Sequence, residues 1–264
     1  MTAESMMAKT SRLSLDGIDF SSFKDQPLGP DTLRCLRYMH DVENHTVCYL
    51  RDLLVTPAHR DPEVTTFLTL WNYEEFWHGE ALGQVLEAHD ERAGTSRVAA
   101  MRRRLPTKDR FAPMLHSLAS MAIGESYIAV HMCWGAVNEW TTQAGYARLA
   151  AKANHPVLAE LLRRIMRQEG RHIDFYASQA EDRLKDSARA RKLARAALRK
   201  FWTPVGAGVM PKSEVAFLIR HLFSDKDGTA MAERIDRRVD RLPGLEGLRL
   251  IGGALNRYST PEHI

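Results

Sequence analysis

Apolar residues recur along most of this chain at steps of three and four, so the pattern predicts helices throughout and no strand. Residues 1–30 carry no sustained stripe and are expected to form a partly ordered arm. From Asp31, which can cap a helix, Leu36, Met39, Glu43, Val47, Leu50 and Leu54 share one face, predicting a first helix over 31–54. Two prolines mark 55–62 as a turn. A second helix is expected over 63–90, followed by a basic crossover through Pro106, a third helix over 110–152, a turn at 154–156 and a fourth helix over 157–184. Three more helical patterns, at 188–202, 212–223 and 229–241, with loops at 206–211 and 242–247, should cover the first four. The predicted architecture is all-α, a four-helix bundle over 31–184 with a helical extension over 185–264, in a single domain.

The stripes of the second and fourth helices contain residues that do not belong in an apolar core. In the second, Val64, Leu68, Trp71, Glu75, His78, Leu82 and Val85 align. In the fourth, Leu158, Leu162, Ile165, Glu169, His172 and Tyr176 repeat the same steps. Each stripe therefore holds a Glu-x-x-His pair, both side chains on one face about a turn apart. One such pair arises easily by chance. Two at core positions need compensation, because a buried carboxylate must be protonated, paired or bound to metal. Glu-x-x-His on two helices plus one Glu from each of two others is the donor set of a di-iron or di-manganese carboxylate centre.

Reflection about the turns locates the other two carboxylates. Counting back from the first turn places Glu43 level with Glu75; the same count about 154–156 reaches residue 139 or 140, where Glu139 stands. Glu125 is its rival, on the same face but about 21 Å away along the axis at about 1.5 Å per residue. Four carboxylates around two ferrous ions form a neutral shell, and a metal-free site should take up protons instead. Oxygen and imidazole donors without thiolate favour iron or manganese over structural zinc.

Composition narrows the context. The 264 residues include three cysteines, Cys35, Cys48 and Cys133, without Cys-x-x-Cys spacing, which fits buried small side chains in a reducing cytoplasm. The first twenty residues mix charged and apolar positions and lack a signal-peptide core. The most apolar stretch, 114–137, is interrupted by His116, Glu125 and His131, so it predicts a buried helix and no membrane span. The net charge of +4 is concentrated in 97–110, 183–200 and 234–241, as solvated helix faces or a docking surface for an acidic partner. No nucleic-acid-binding motif accompanies it, so nucleic acid is not an expected partner.

At its ligand motifs the chain resembles the ferritin-like di-iron carboxylate proteins, and more closely the soluble acyl-[acyl carrier protein] desaturases. Trp71-Asn-Tyr-Glu-Glu75-Phe-Trp-His78-Gly-Glu-Ala-Leu82 is similar to the desaturase helix Trp-x-x-Glu-Glu-x-x-His-Gly-Asp-x-Leu, and Gln168-Glu169-Gly-Arg171-His172 to its acidic-Glu-x-Arg-His partner. Ala147-Arg-Leu-Ala150 recurs upstream at a similar distance. The chain departs from that pattern at Trp77, where arginine is common, at Gly170, and in a third-helix glutamate about one turn nearer the bend.

The resemblance implies a homodimer with a diferrous centre that uses O2 to oxidise an apolar or acyl substrate, carried by an acidic acyl carrier protein, with electrons from a ferredoxin-like donor. It also implies that Thr142, three residues after Glu139, assists oxygen activation. Trp71, Phe76, Trp77, Trp134, Trp140, Tyr146 and Tyr176 are expected around the site, as core packing, as an apolar channel or as an electron relay. The rival classes are a ferroxidase or iron-handling protein and a metal-binding bundle without turnover.

Overall fold

The computed structural model describes residues 1–105 and 111–259. The chain is helical, with no strand among the described residues. Two short helices, α1 (Ala3–Met7) and α2 (Ser22–Asp25), precede α3 (Pro30–Glu43) and α4 (Thr46–Leu54). A 3-10 turn at Pro57–Arg60 leads to α5 (Pro62–Glu87), then α6 (Gly94–Arg103), α7 (Ala112–Ile123), α8 (Ser126–Ala153) and α9 (Pro156–Lys185). The remainder forms α10 (Ala188–Phe201), α11 (Lys212–Phe223), α12 (Lys226–Val239) and α13 (Leu250–Ser259). No described helix is long and apolar enough to cross a membrane.

Local chemistry sets the ends of the long helices. Asp61 accepts from the Val64 amide at 3.1 Å ahead of Pro62, and His155 accepts from Leu158 N at 3.4 Å ahead of Pro156. Asn154 closes α8 in the left-handed conformation, φ 46°. Two expected helices are broken. The first stops after Glu43, where Asn44 Nδ2 donates to the His40 carbonyl at 2.9 Å and Thr46 Oγ1 to the Glu43 carbonyl at 2.7 Å; these side chains compete with the backbone ladder. The third is divided at Gly124, whose φ of 68° and ψ of −150° suit only glycine, so α8 begins at Ser126. Its expected start at Arg110, with Pro106, lies outside the described residues.

Four helices close around one interior: α3 packs on α5, α5 on α9, α9 on α8 and α8 on α3. Every expected stripe residue of α5 and α9 is buried. On α3–α4 the stripe holds only through Glu43; beyond the break Val47 and Leu54 are exposed. The arm is packed, burying Met6 and Phe23, and Ala3 N donates to Glu63 Oε1 at 2.7 Å. α10 covers α8 and α9, and α11 joins α3 and α8 to α12 and α13. One apolar core runs from Ala3 to Ala254. α13 was not expected, because its Leu-Ile-Gly-Gly start carries a weak helical signal; Asp236 fixes it by accepting from Ile251 N and Gly252 N, both at 2.9 Å.

Gly135 sets the approach of α8 to α9, since a Cβ there would lie 2.2 Å from the Tyr176 ring, itself fully buried against Phe67 and Trp71. Gly135→Ala should destabilise the fold by about 1–3 kcal/mol through overpacking. A urea denaturation series measures this, and an unchanged midpoint would show that Tyr176 has room to move.

Candidate metal centre

Glu75 and His78 from α5, Glu169 and His172 from α9, Glu139 from α8 and Glu43 from the last position of α3 meet in the interior, each no more than 5% exposed. Their donor atoms fall into two overlapping groups, each spanning no more than 4.8 Å: Glu43, Glu75, His78 and Glu169, and Glu75, Glu139, Glu169 and His172. Glu75 and Glu169 belong to both. The structure thus brings together all six residues singled out by spacing. Glu125 stands exposed immediately before α8, far from the cluster.

Both imidazoles present Nδ1 to the cluster and Nε2 to an outer partner. His78 Nδ1 lies 3.3 Å from Glu169 Oε1, and His172 Nδ1 lies 3.0 Å from Glu169 Oε2 and 3.1 Å from Glu75 Oε1. Outside, His78 Nε2 pairs with Gln168 Oε1 and His172 Nε2 with Glu74 Oε2, both at 2.9 Å. The residue before each shared glutamate therefore holds the histidine of the opposite helix. The peptide of Ser11 bridges these partners: its carbonyl accepts from Gln168 Nε2 at 3.1 Å and its amide donates to Glu74 Oε1 at 3.3 Å. With the Gln168 amide nitrogen committed to Ser11, its oxygen must accept from His78 Nε2–H, so Nδ1 is the nitrogen that can take a metal once its proton leaves. Arg171 pairs with the other side of Glu74.

Sequence reasoning missed Glu74 and Gln168 as partners. The signal available was their place immediately before Glu75 and Glu169 in the two matched motifs. The outer carboxyl groups are also held, because Trp71 Nε1 donates to Glu139 at 2.9 Å and the Tyr146 hydroxyl donates to Glu43.

Burial, followed by the charges of Glu75 and Glu169, pushes the Glu43 carboxyl well above the usual range, and burial with the same two charges does so for Glu139. Burial acts in the same direction on Glu75, but bonds from Glu43, His172 and His78 outweigh it and hold the group low. For Glu169, bonds from His172 and His78 overcome burial and the Glu75 charge. Burial would lower His78, yet Glu169 and Glu75 raise it to about 9, and Glu169, Glu74 and Glu75 raise His172. In the metal-free cluster protons are thus favoured on the two imidazoles and on Glu43 and Glu139 over Glu75 and Glu169.

A cavity of about 280 Å³ reaches Glu43, Glu75 and Glu139, walled by Val42, Tyr49, Trp71, Trp134, Tyr176 and the segment Thr203–Val209. A smaller pocket of about 60 Å³ adjoins it, bounded by Met39, Tyr146, Val215, Leu218, Ile219 and Leu222; the two share Val42, Thr142 and Val205. Thr142 therefore borders both, one turn beyond Glu139. On the outer side of Gly208 and Val209 lies a basin of about 680 Å³ lined by Arg34, Arg37, Arg92, Arg97 and Arg104 together with Asp41 and Glu214, which pair with Arg97 and Arg34. Among the aromatics expected at the site, Trp71, Trp134 and Tyr176 line the cavity and Tyr146 bonds Glu43. Phe76 is exposed, Trp77 lies under the Arg12 guanidinium, and Trp140 is buried without lining the cavity.

No protein-family model matches the chain, and none of the curated proteins matches it with significance. The donor set and its geometry are what bear on function. Glu75 Oε1, His78 Nδ1 and Glu169 Oε1 are buried and face oppositely charged groups without well-aligned hydrogen-bond geometry among the described residues, and a divalent cation would satisfy all three. These residues fit a pair of such ions.

Loading two divalent ions near neutral pH should release about four protons per chain, two from the histidines and two from Glu43 and Glu139. Calorimetry in buffers of differing ionisation enthalpy counts them. Linkage gives the two forms opposite slopes. The His78 contribution to the metal-free fold is complete below pH 6.5 and lost as pH rises through about 9, whereas the loaded protein loses stability as acid displaces the ions. Parallel melting curves across pH would contradict this. Glu74→Gln should lower metal affinity by about 10–100-fold while leaving all six donors in place, read by competition with a chromophoric chelator.

Proposed function

We propose that this chain is an O2-dependent di-iron oxidoreductase with a ferritin-like four-helix bundle, a desaturase or hydroxylase acting on an apolar or acyl chain. The observation that carries the proposal is the pair of four-donor groups sharing Glu75 and Glu169, which is how two ions are held by bridging carboxylates. The motif resemblance to the acyl carrier protein desaturases supports it independently. Two ferrous ions bound there would supply the reduction of O2 and the oxidising power to take hydrogen from an unactivated carbon.

The chain's own residues have separate tasks. Glu43, Glu75, His78 and Glu169 would hold one ion, and Glu75, Glu139, Glu169 and His172 the other. Trp71 and Tyr146 orient the terminal carboxylates, and Ser11, Gln168 and Glu74 fix the imidazoles. The apolar cavity walls exclude water and set which carbon lies beside the cluster. Thr142 borders the cavity and the small pocket one turn beyond Glu139, where its hydroxyl would serve the oxygen-activating role that the resemblance implies. Arg34, Arg37 and Arg97 of the basin are paired with Glu214, Glu91 and Asp41, so Arg92 and Arg104, which make no ion pair among the described residues, would meet the anionic end of a carried substrate, such as an acidic acyl carrier protein, and a ferredoxin-like donor would supply electrons. Manganese suits the same donors, so iron is part of the proposal.

Anaerobic Fe(II) titration followed by O2 exposure tests it. Wild type should bind about two irons per chain and change its optical spectrum with O2, while Glu169→Ala should bind fewer than about one. An acyl thioester should then lose two hydrogens or gain one oxygen by mass spectrometry. Rapid Fe(II) oxidation into a large mineral-holding shell, with the thioester untouched, would instead assign the protein to iron handling.

A further inference from the structure

Tyr49 on α4 and His131 on α8 form a pair that the ligand set does not use. The Tyr49 hydroxyl stands 3.0 Å from His131 Nδ1, and the phenol borders the cavity. Its ring meets Trp71 edge-on with centroids 6.1 Å apart, and the Trp71 indole N–H donates to Glu139. A continuous series of contacts therefore leads from a cluster carboxylate through an indole and a phenol to an imidazole.

The other phenols beside the cluster are placed differently. Tyr146 gives its hydroxyl to Glu43. Tyr176 also meets Trp71, with centroids 6.3 Å apart, and stands edge-on to the His131 ring at 5.7 Å, but its buried hydroxyl has no hydrogen-bond partner among the described residues. A buried phenol that loses an electron and keeps its proton becomes an unpaired buried cation, which is costly. A base within hydrogen-bond reach removes that penalty by taking the proton as the electron leaves. Tyr49 has such a base.

We propose that Tyr49 is a one-electron donor to the metal centre, with Trp71 as the conducting ring and His131 as the proton acceptor. The oxidant is the O2-oxidised dimetal centre, so the donor role stands only if that centre forms. The Tyr49 O–H bond breaks; its electron passes through Trp71 and reduces the centre by one equivalent. Its proton moves to His131 Nδ1. The products are a neutral tyrosyl radical and an imidazolium, and charge is conserved. When no substrate fills the cavity, this route carries an oxidising equivalent away from the ligands toward α4.

The test uses full-length protein loaded with Fe(II), exposed to O2 without substrate and freeze-quenched for electron paramagnetic resonance. Wild type should give a tyrosyl signal that narrows with ring-deuterated tyrosine. Tyr49→Phe should lose that signal at unchanged iron content, and His131→Gln should weaken it with Tyr49 intact. A second readout needs no iron: photo-oxidation of the metal-free protein by a soluble ruthenium oxidant should place a neutral radical on Tyr49 in wild type, and a weaker one in His131→Gln. Iron binding with no radical, or a radical unchanged in Tyr49→Phe, would overturn the donor role and leave the metal centre standing. Failure to bind iron would overturn both.

Discussion

Six ionisable side chains share an interior that water scarcely reaches, and the structure around them is organised by the need to balance their charge. An uncompensated carboxylate there would cost several kcal/mol, more than most single contacts return. Two balanced states are open to the cluster. In one, protons on His78, His172, Glu43 and Glu139 offset Glu75 and Glu169; in the other, four carboxylates face two divalent ions. Both are neutral, so charge balance would not require metal for the donors to stay in register. Glu75 Oε1, His78 Nδ1 and Glu169 Oε1, buried without well-aligned hydrogen bonds among the described residues, are the atoms that the second state would use.

The surrounding layers follow from that requirement. Ser11 lies in the arm, far from the cluster in sequence, yet its peptide bonds both Gln168 and Glu74 and so constrains both histidines at once. The packed arm is thus part of the site's scaffold. The segment after α10 has a similar place on the other side. Gly206, at φ 83°, comes so close that a Cβ would lie 2.5 Å from the Tyr38 hydroxyl, which donates to the Val205 carbonyl at 2.6 Å. That approach closes the cavity beside Glu43 and puts Gly208 and Val209 between it and the arginine basin.

The legible and illegible parts of the site separate along one physical line. α5 and α9 are continuous helices buried on one face, so periodicity alone placed Glu75, His78, Glu169 and His172, and reflection about a short turn placed Glu139. Reflection also found Glu43, but the stripe beyond it failed, because Asn44 and Thr46 end the helix through side-chain bonds that hydrophobic spacing does not record. Glu74 and Gln168 were invisible to the stripe because they lie one position off it, and their role depends on how two helices face each other. α13 depends on Asp236, fifteen residues before the amide it holds, and a local pattern carries no such information.

The two halves of the centre are related by this pairing but are not equivalent. His78 is held by a neutral amide and His172 by a carboxyl group that Arg171 also engages. An imidazole donating to a carboxylate is the more basic ligand, so the position served by His172 should hold its ion more firmly. The opposite position draws its terminal carboxylate from Glu43, alone among the six donors in ending a helix. Its chain neighbour Asn44 fills the space that Gly79 leaves open, where a Cβ would lie 2.3 Å from Asn44 Nδ2. Glu43 also borders the cavity, the small apolar pocket and a groove of about 790 Å³ between α4, α5 and α6. A weaker imidazole and a ligand at a helix end coincide at the same ion position, and open space surrounds that ligand. If two ions bind as proposed, rearrangement would therefore cost least at Glu43, while Glu139, held by Trp71 within a continuous helix, would move less.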